Sequence, residues 1–159
     1  MRKQVIGVCL IAGLLLGVSS APVIAYAGQG AMAMKEKSLY DRLGRKKAIT
    51  AVVDEFVSRV AADARINTFF AATAGDPARL KKFKGNLVDQ ICEASGGPCK
   101  YKGKDMKTAH MGMGISSGDF TALVEDLSGA LDKFQVGAHE KDQLLGALAP
   151  MKTQIVEKP

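Results

Sequence analysis

Tryptophan is absent and aromatics make up only 6% of the chain. The lysine clusters Lys81, Lys82, Lys84 and Lys100, Lys102, Lys104, Lys107 therefore lack the interleaved rings of a nucleic-acid-binding surface, and no nucleic-acid partner is expected. Cysteine is sparse too, three in 159 residues, and Cys92 and Cys99 fit no common zinc spacing with the two histidines, His110 and His139. No apolar run reaches the roughly 20 residues of a membrane-spanning helix, so no permanent span is expected. From Lys35 onward no segment alternates apolar and polar residues as a strand does. What remains is one helical domain, because 159 residues bury a proper core and leave no room for a second of similar size.

The first 27 residues stand apart from that domain. Arg2 and Lys3 form a basic head, Val5 to Val18 is an apolar run, and Ala25-Tyr26-Ala27 supplies the small-x-small pattern that signal peptidase reads. Residues 1–27 are therefore expected to be a cleaved signal peptide, with a secreted or periplasmic mature chain starting near Gly28 and a disordered segment over residues 28–37. Cys9 lies too early for lipid attachment and is discarded with the signal. Loss of Arg2 and Lys3 lowers the formal charge from +6 to +4, a mild basic surplus. Cys92 and Cys99 would then sit in an oxidising compartment, where a disulfide is permitted and would pin the end of one helix to the following loop.

Helical spacing runs through the rest. Ser38-Leu39-Tyr40-Asp41-Arg42-Leu43-Gly44 reads as a very short helix, with Ser38 as N-cap and Gly44 left-handed at its end. Ile49, Val52, Val53, Phe56, Val57 and Val60 recur in steps of three and one, giving a continuous apolar face opposite Lys46, Asp54 and Arg59. Phe69 and Phe70 end a segment too short for an ordinary helix and are expected at a corner, before a small, polar stretch from Ala71 to Gly75. Asp76-Pro77 opens a helix to about Ser95 with the stripe Leu80, Phe83, Leu87, Val88 and Ile91, and Gly96-Gly97-Pro98 stops it. A polar connector, Lys100 to Lys104, precedes a short helix from Asp105 to Met111 that Gly112 and Gly114 end. Ser116 or Ser117 caps the next helix, with Phe120, Leu123, Val124, Leu127, Leu131 and Phe134 on one face. After Gly137 a last helix carries Leu144, Leu145, Leu148, Met151 and Ile155, kinked at Pro150. His110 alone is a weak signal, since a single histidine among apolar residues is more often packed and hydrogen-bonded than bound to a metal.

Its surroundings change that weight. The chain resembles the group I truncated haemoglobins at Leu39-Tyr40-Asp41-Arg42-Leu43-Gly44, Arg59-Val60, Phe69-Phe70, Gly96-Gly97-Pro98, Met106-Lys107-x-x-His110 and Gly114-Ile115, six motifs in order between Ser38 and Val156. The resemblance implies an all-α truncated-globin domain over residues 38–156, a two-over-two helical sandwich holding haem b. No Cys-x-x-Cys-His run is present for covalent attachment, so the haem would be non-covalent. The family's proximal, iron-binding histidine matches His110, and Phe70 matches the phenylalanine packed on the haem face. Phe83, Leu87, Met106, Ile115 and Phe120 are the apolar haem contacts this implies, with Lys84 and Lys107 as candidate partners of the haem propionates.

Two departures stand out. Where the family usually has a second glycine after its first helix this chain has Arg45, so the turn there is expected to differ. The distal positions facing ligand match Val57, Phe83, Asn86 and Leu87, where better-known members carry tyrosine and glutamine. Only Asn86 is polar. A hydrogen-bond donor over the iron slows the departure of oxygen and an apolar wall does not, so fast oxygen release is expected, with carbon monoxide less affected.

The implied function is reversible binding of a diatomic gas, O2, NO or CO, by a monomer. The alternative is a haem enzyme on the same scaffold, a nitric oxide dioxygenase served by an external reductase or a peroxidase-like detoxifier. No distal histidine-arginine pair of the peroxidase kind is seen and no catalytic residue is assigned. His139, at a helix start, is expected to be exposed and no second iron ligand.

Overall fold

The computed structural model describes residues 36–158; the expected signal peptide, Cys9 and most of the 28–37 segment lie outside them. The helices are α1 (Leu39–Arg42), α2 (Arg45–Ala62), α3 (Ala71–Ala74), α4 (Pro77–Ala94), α5 (Met106–His110), α6 (Ser117–Lys133), α7 (Ala138–Leu148) and α8 (Lys152–Ile155). Tight 3-10 turns at Asn67–Phe70 and Ala149–Met151 lead into α3 and α8. Among the described residues there is no strand, only an isolated bridge between Ser116 and Lys158, and no helix is long and apolar enough to cross a membrane. The all-α expectation therefore holds.

The steps of three and one in α2 bury Ile49, Val52, Val53, Phe56 and Val60. Both α4 and α6 pack on α2, and α7 packs against α4 and α6, so α2 with α4 forms one layer and α6 with α7 the other. Val88, Ile91, Ala122, Leu131 and Leu144 close the core between them. Each fully buried aliphatic side chain in it contributes about 1.5–3 kcal/mol.

Helix ends follow the capping residues. The Ser38 hydroxyl accepts the Asp41 N–H at 3.2 Å, and the Asp76 carboxylate accepts the Ala78 and Arg79 N–H groups at 2.9 and 3.1 Å ahead of Pro77. Ser116, not Ser117, caps α6, in a reciprocal box with Asp119. Gly97 packs so closely that a β-carbon there would lie 2.6 Å from the Tyr40 ring and 2.7 Å from the Cys92 sulfur. That contact fastens the end of α4 to α1.

Several expectations need correction. Arg45 does not avoid the glycine-like turn: Gly44 and Arg45 are both left-handed, with φ of 84° and 64°, and the Arg45 guanidinium bonds Asp41 at 2.8 Å. A β-carbon in that region costs about 1 kcal/mol or more. Within the small, polar stretch, Ala71 to Ala74 forms a helical turn. Phe134 is 45% exposed, because α6 ends at Lys133 and the left-handed Gln135 (φ 54°) turns the chain away. Pro150 breaks the last helix into three pieces rather than kinking it.

Candidate functional site

A five-residue helix is too short to persist unaided, so the position of α5 depends on what holds its ends. At its start the Asp105 carboxylate accepts the Thr108 N–H at 2.9 Å. Hydrogen bonds from Thr108 hold that carboxyl below the usual aspartate range. At its end the His110 Nδ1 lies 2.7 Å from the Met106 carbonyl oxygen. A carbonyl can only accept, so Nδ1 carries a proton, and in the neutral imidazole the lone pair is on Nε2. Nε2 has no protein partner among the described residues.

His110 lines a cavity of about 1010 Å³. Phe83, Asn86, Leu87 and Gln90 of α4 line it together with Met106 and His110 of α5, Ile115, Phe70 and Phe120. Eight of the residues selected from the sequence are thus brought together: Phe70, Phe83, Asn86, Leu87, Met106, His110, Ile115 and Phe120. Phe70 and Phe83 stack at a tilt, with ring centroids 5.7 Å apart.

Three selected residues lie elsewhere. Val57 lines a neighbouring cavity of about 350 Å³, also bounded by Phe70 and Phe83, while Phe56 faces the large one. Adjacent helix positions differ by about 100°, which is enough to send these two neighbours into different spaces. Lys84 is committed to Asp54 on α2 at 2.8 Å, and Lys107 is exposed outside the lining. The lysines at the cavity are instead Lys82, Lys102, Lys104 and Lys152, none ion-paired among the described residues. The Lys152 ammonium also sits 5.9 Å over the Phe120 ring. The i, i+4 row Lys82-Asn86-Gln90, beside Phe83-Leu87, was a signal that could have identified Lys82.

Gln90 was also missed. Its amide donates to the Met106 sulfur at 3.4 Å and the Met151 sulfur at 3.1 Å, tying α4 to α5 and to the turn before α8. His139, at the start of α7, is exposed and outside the cavity.

The connector from α4 to α5 forms part of the cavity rim. A disulfide joins Cys92, wholly buried on α4, to Cys99, with Cα atoms 5.7 Å apart. Glu93 accepts the Tyr101 N–H at 2.9 Å and pairs with Lys100 at 3.0 Å, and both interactions hold its carboxyl below the usual range. The Tyr101 hydroxyl donates to the Lys104 carbonyl at 2.8 Å, and burial pushes its pKa up. Haem fits this chamber: the volume is at the upper end of the roughly 300–1,000 Å³ of small-molecule sites, the walls are mainly apolar, one imidazole nitrogen is uncommitted, and the rim is cationic toward carboxylates.

Comparisons with known proteins agree with that fit. The family model for bacterial-like globins matches residues 38–157. The chain is 36% identical over 118 residues to the group 1 truncated hemoglobin GlbN of Mycolicibacterium paratuberculosis, covering 74% of this chain and 83% of that protein. To the group 1 truncated hemoglobin LI410 of Chlamydomonas moewusii it is 32% identical over 124 residues, covering 77% of this chain and 70% of the relative. The crystal structure of the truncated hemoglobin from Tetrahymena pyriformis, Fe(III) form, superposes with a TM-score of 0.69 at 27% identity, over 77% of this chain and 100% of that one.

Proposed function

This chain belongs to the bacterial-like globins, and within them to the group 1 truncated haemoglobins, and from that premise we propose that it binds a diatomic gas reversibly at a non-covalent haem b whose axial ligand is His110. The observation that carries the assignment is the imidazole itself: Nδ1 is fixed 2.7 Å from the Met106 carbonyl, and the ring lines a largely apolar cavity large enough for the macrocycle.

Haem iron supplies a coordination position that O2, NO or CO can occupy. The protein supplies the surroundings. Phe70, Phe83 and Leu87 give the cavity an apolar wall, and Asn86 is a polar group of α4 among them. An apolar wall gives oxygen little to hold on to, which supports fast release. Lys82, Lys102, Lys104 and Lys152 would neutralise the propionates at the rim.

The globin unit spans residues 38–156, and residues 1–27 serve as an export signal that delivers it to the periplasm or beyond. The Cys92–Cys99 disulfide supports an oxidising destination.

Haem added to the apo-protein should saturate at one equivalent per chain and develop a Soret band. A protein that stays colourless after supplementation contradicts the assignment.

A further inference from the structure

The loop that follows His110 is held by a residue far away in the chain. Gly112 and Gly114 are both left-handed, with φ of 80° and 68°. Their N–H groups donate to the two oxygens of one carboxylate, Glu157: Gly112 to Oε1 and Gly114 to Oε2, each at 2.6 Å. The backbone completes the attachment. The Glu157 and Lys158 N–H groups donate to the Ile115 carbonyl at 2.9 and 3.0 Å, and the Ser117 N–H donates to the Lys158 carbonyl at 3.1 Å. Between the two glycines, the Met113 N–H bonds the His110 carbonyl at 3.1 Å.

The five-residue α5 buries none of its residues, so packing alone does not orient it. Asp105 fixes its first turn, and the chain just beyond its last residue is fixed by Glu157. We propose that Glu157 is a positioning residue for the iron ligand: by clamping Gly112 and Gly114 it sets the direction in which the His110 imidazole faces the haem. The inference rests on His110 being the axial ligand. Glu157 does not itself line the cavity and makes no hydrogen bond to the imidazole; its backbone N–H holds the carbonyl of Ile115, which does line it. Beyond the break at Pro150, α8 packs against α5, so the tail that follows lies within reach of the loop.

The test uses Glu157→Ala, Glu157→Gln and the control Lys158→Ala, which leaves the backbone bonds and the carboxylate in place. Glutamine keeps one acceptor oxygen of the two, so it should fall between parent and alanine variant. Amide hydrogen exchange on the apo-proteins reads the clamp without any haem: Gly112, Met113 and Gly114 should lose protection in Glu157→Ala and keep it in Lys158→Ala. In the haem-loaded ferrous proteins, resonance Raman should show the iron–histidine stretching band shifted or broadened in Glu157→Ala, partly restored in Glu157→Gln. Haem transfer to an excess of acceptor globin should quicken by about tenfold in Glu157→Ala, the effect of losing hydrogen bonds to a charged acceptor.

A band present in the parent and unchanged in Glu157→Ala overturns the positioning role and leaves the axial ligand standing. Unchanged exchange at Gly112 and Gly114 overturns it as well. No His110-dependent band in the parent refutes the axial ligand, and the positioning role with it.

Discussion

The two sides of the cavity are built by different physics. The proximal side is a five-residue helix with no buried residue, placed by directed polar contacts: the Asp105 cap, the His110–Met106 bond, the Glu157 clamp and the Ser116–Asp119 box. The distal side rests on two eighteen-residue helices, α2 and α4, whose faces are buried around Val53, Phe56, Val88 and Ile91 and whose cavity-facing members include Phe83 and Leu87. Hydrogen bonds aim a group; apolar packing only shapes a space. The side that must aim an imidazole is short and held by polar contacts, and the side that must admit a small gas is long and held by apolar packing, with Asn86 and Gln90 among its cavity-lining residues.

The connector between these halves is where the largest effect is expected. Replacing Cys92 and Cys99 by serine opens a small covalent loop and should destabilise the protein by about 2 kcal/mol, read as a lower Tm by circular dichroism. If the connector matters to the proximal side, haem transfer should quicken in the same variant; an unchanged Tm would show that Glu93 and Tyr101 suffice.

The distal side is tested next. Leu87→Gln places a donor in the apolar wall and should slow oxygen release by about tenfold, with a smaller change for carbon monoxide, in stopped-flow displacement. Equal oxygen rates would mean that Leu87 does not face the ligand.

Arg45 lies outside both sides and serves as a control. Arg45→Gly relieves a left-handed β-carbon but loses the pair with Asp41, so a net gain below about 1 kcal/mol in urea unfolding is expected, with gas kinetics unchanged.

Acid should loosen the proximal side through three of its carboxylates. Gly112 and Gly114 hold the Glu157 carboxyl below its ordinary 4.5, and Thr108 and Ser116 hold Asp105 and Asp119 below 3.8. Groups lowered in the folded state stabilise fully above their unfolded values and lose that contribution as pH falls through the lower folded ones. Haem retention should therefore fall off below about pH 4. The decline should be shallower in Glu157→Gln, where one of these contributions is already missing.

Much of the scaffold was legible because periodicity is local. The faces of α2 and α4, the caps at Ser38 and Asp76 and the stop at Gly96-Gly97-Pro98 all lie within a few residues of the feature they determine. The site was less legible. Val57 and Phe56 are neighbours at the border of one apolar face, and no sequence rule says which meets the large cavity. Lys84 was chosen for standing beside Phe83, yet one helical step turns it toward Asp54, and Lys82 lines the cavity instead. Glu157 carried no local signal at all: its partners are 43 and 45 residues away, and only the folded chain brings them together.

The most direct measurement is the absorption spectrum of His110→Gly titrated with haem, then with imidazole. The glycine variant should bind haem weakly with an altered Soret band, and free imidazole should enter the vacated space and restore the parent spectrum. A variant that binds haem with the parent spectrum and no response to imidazole would contradict His110 as the axial ligand.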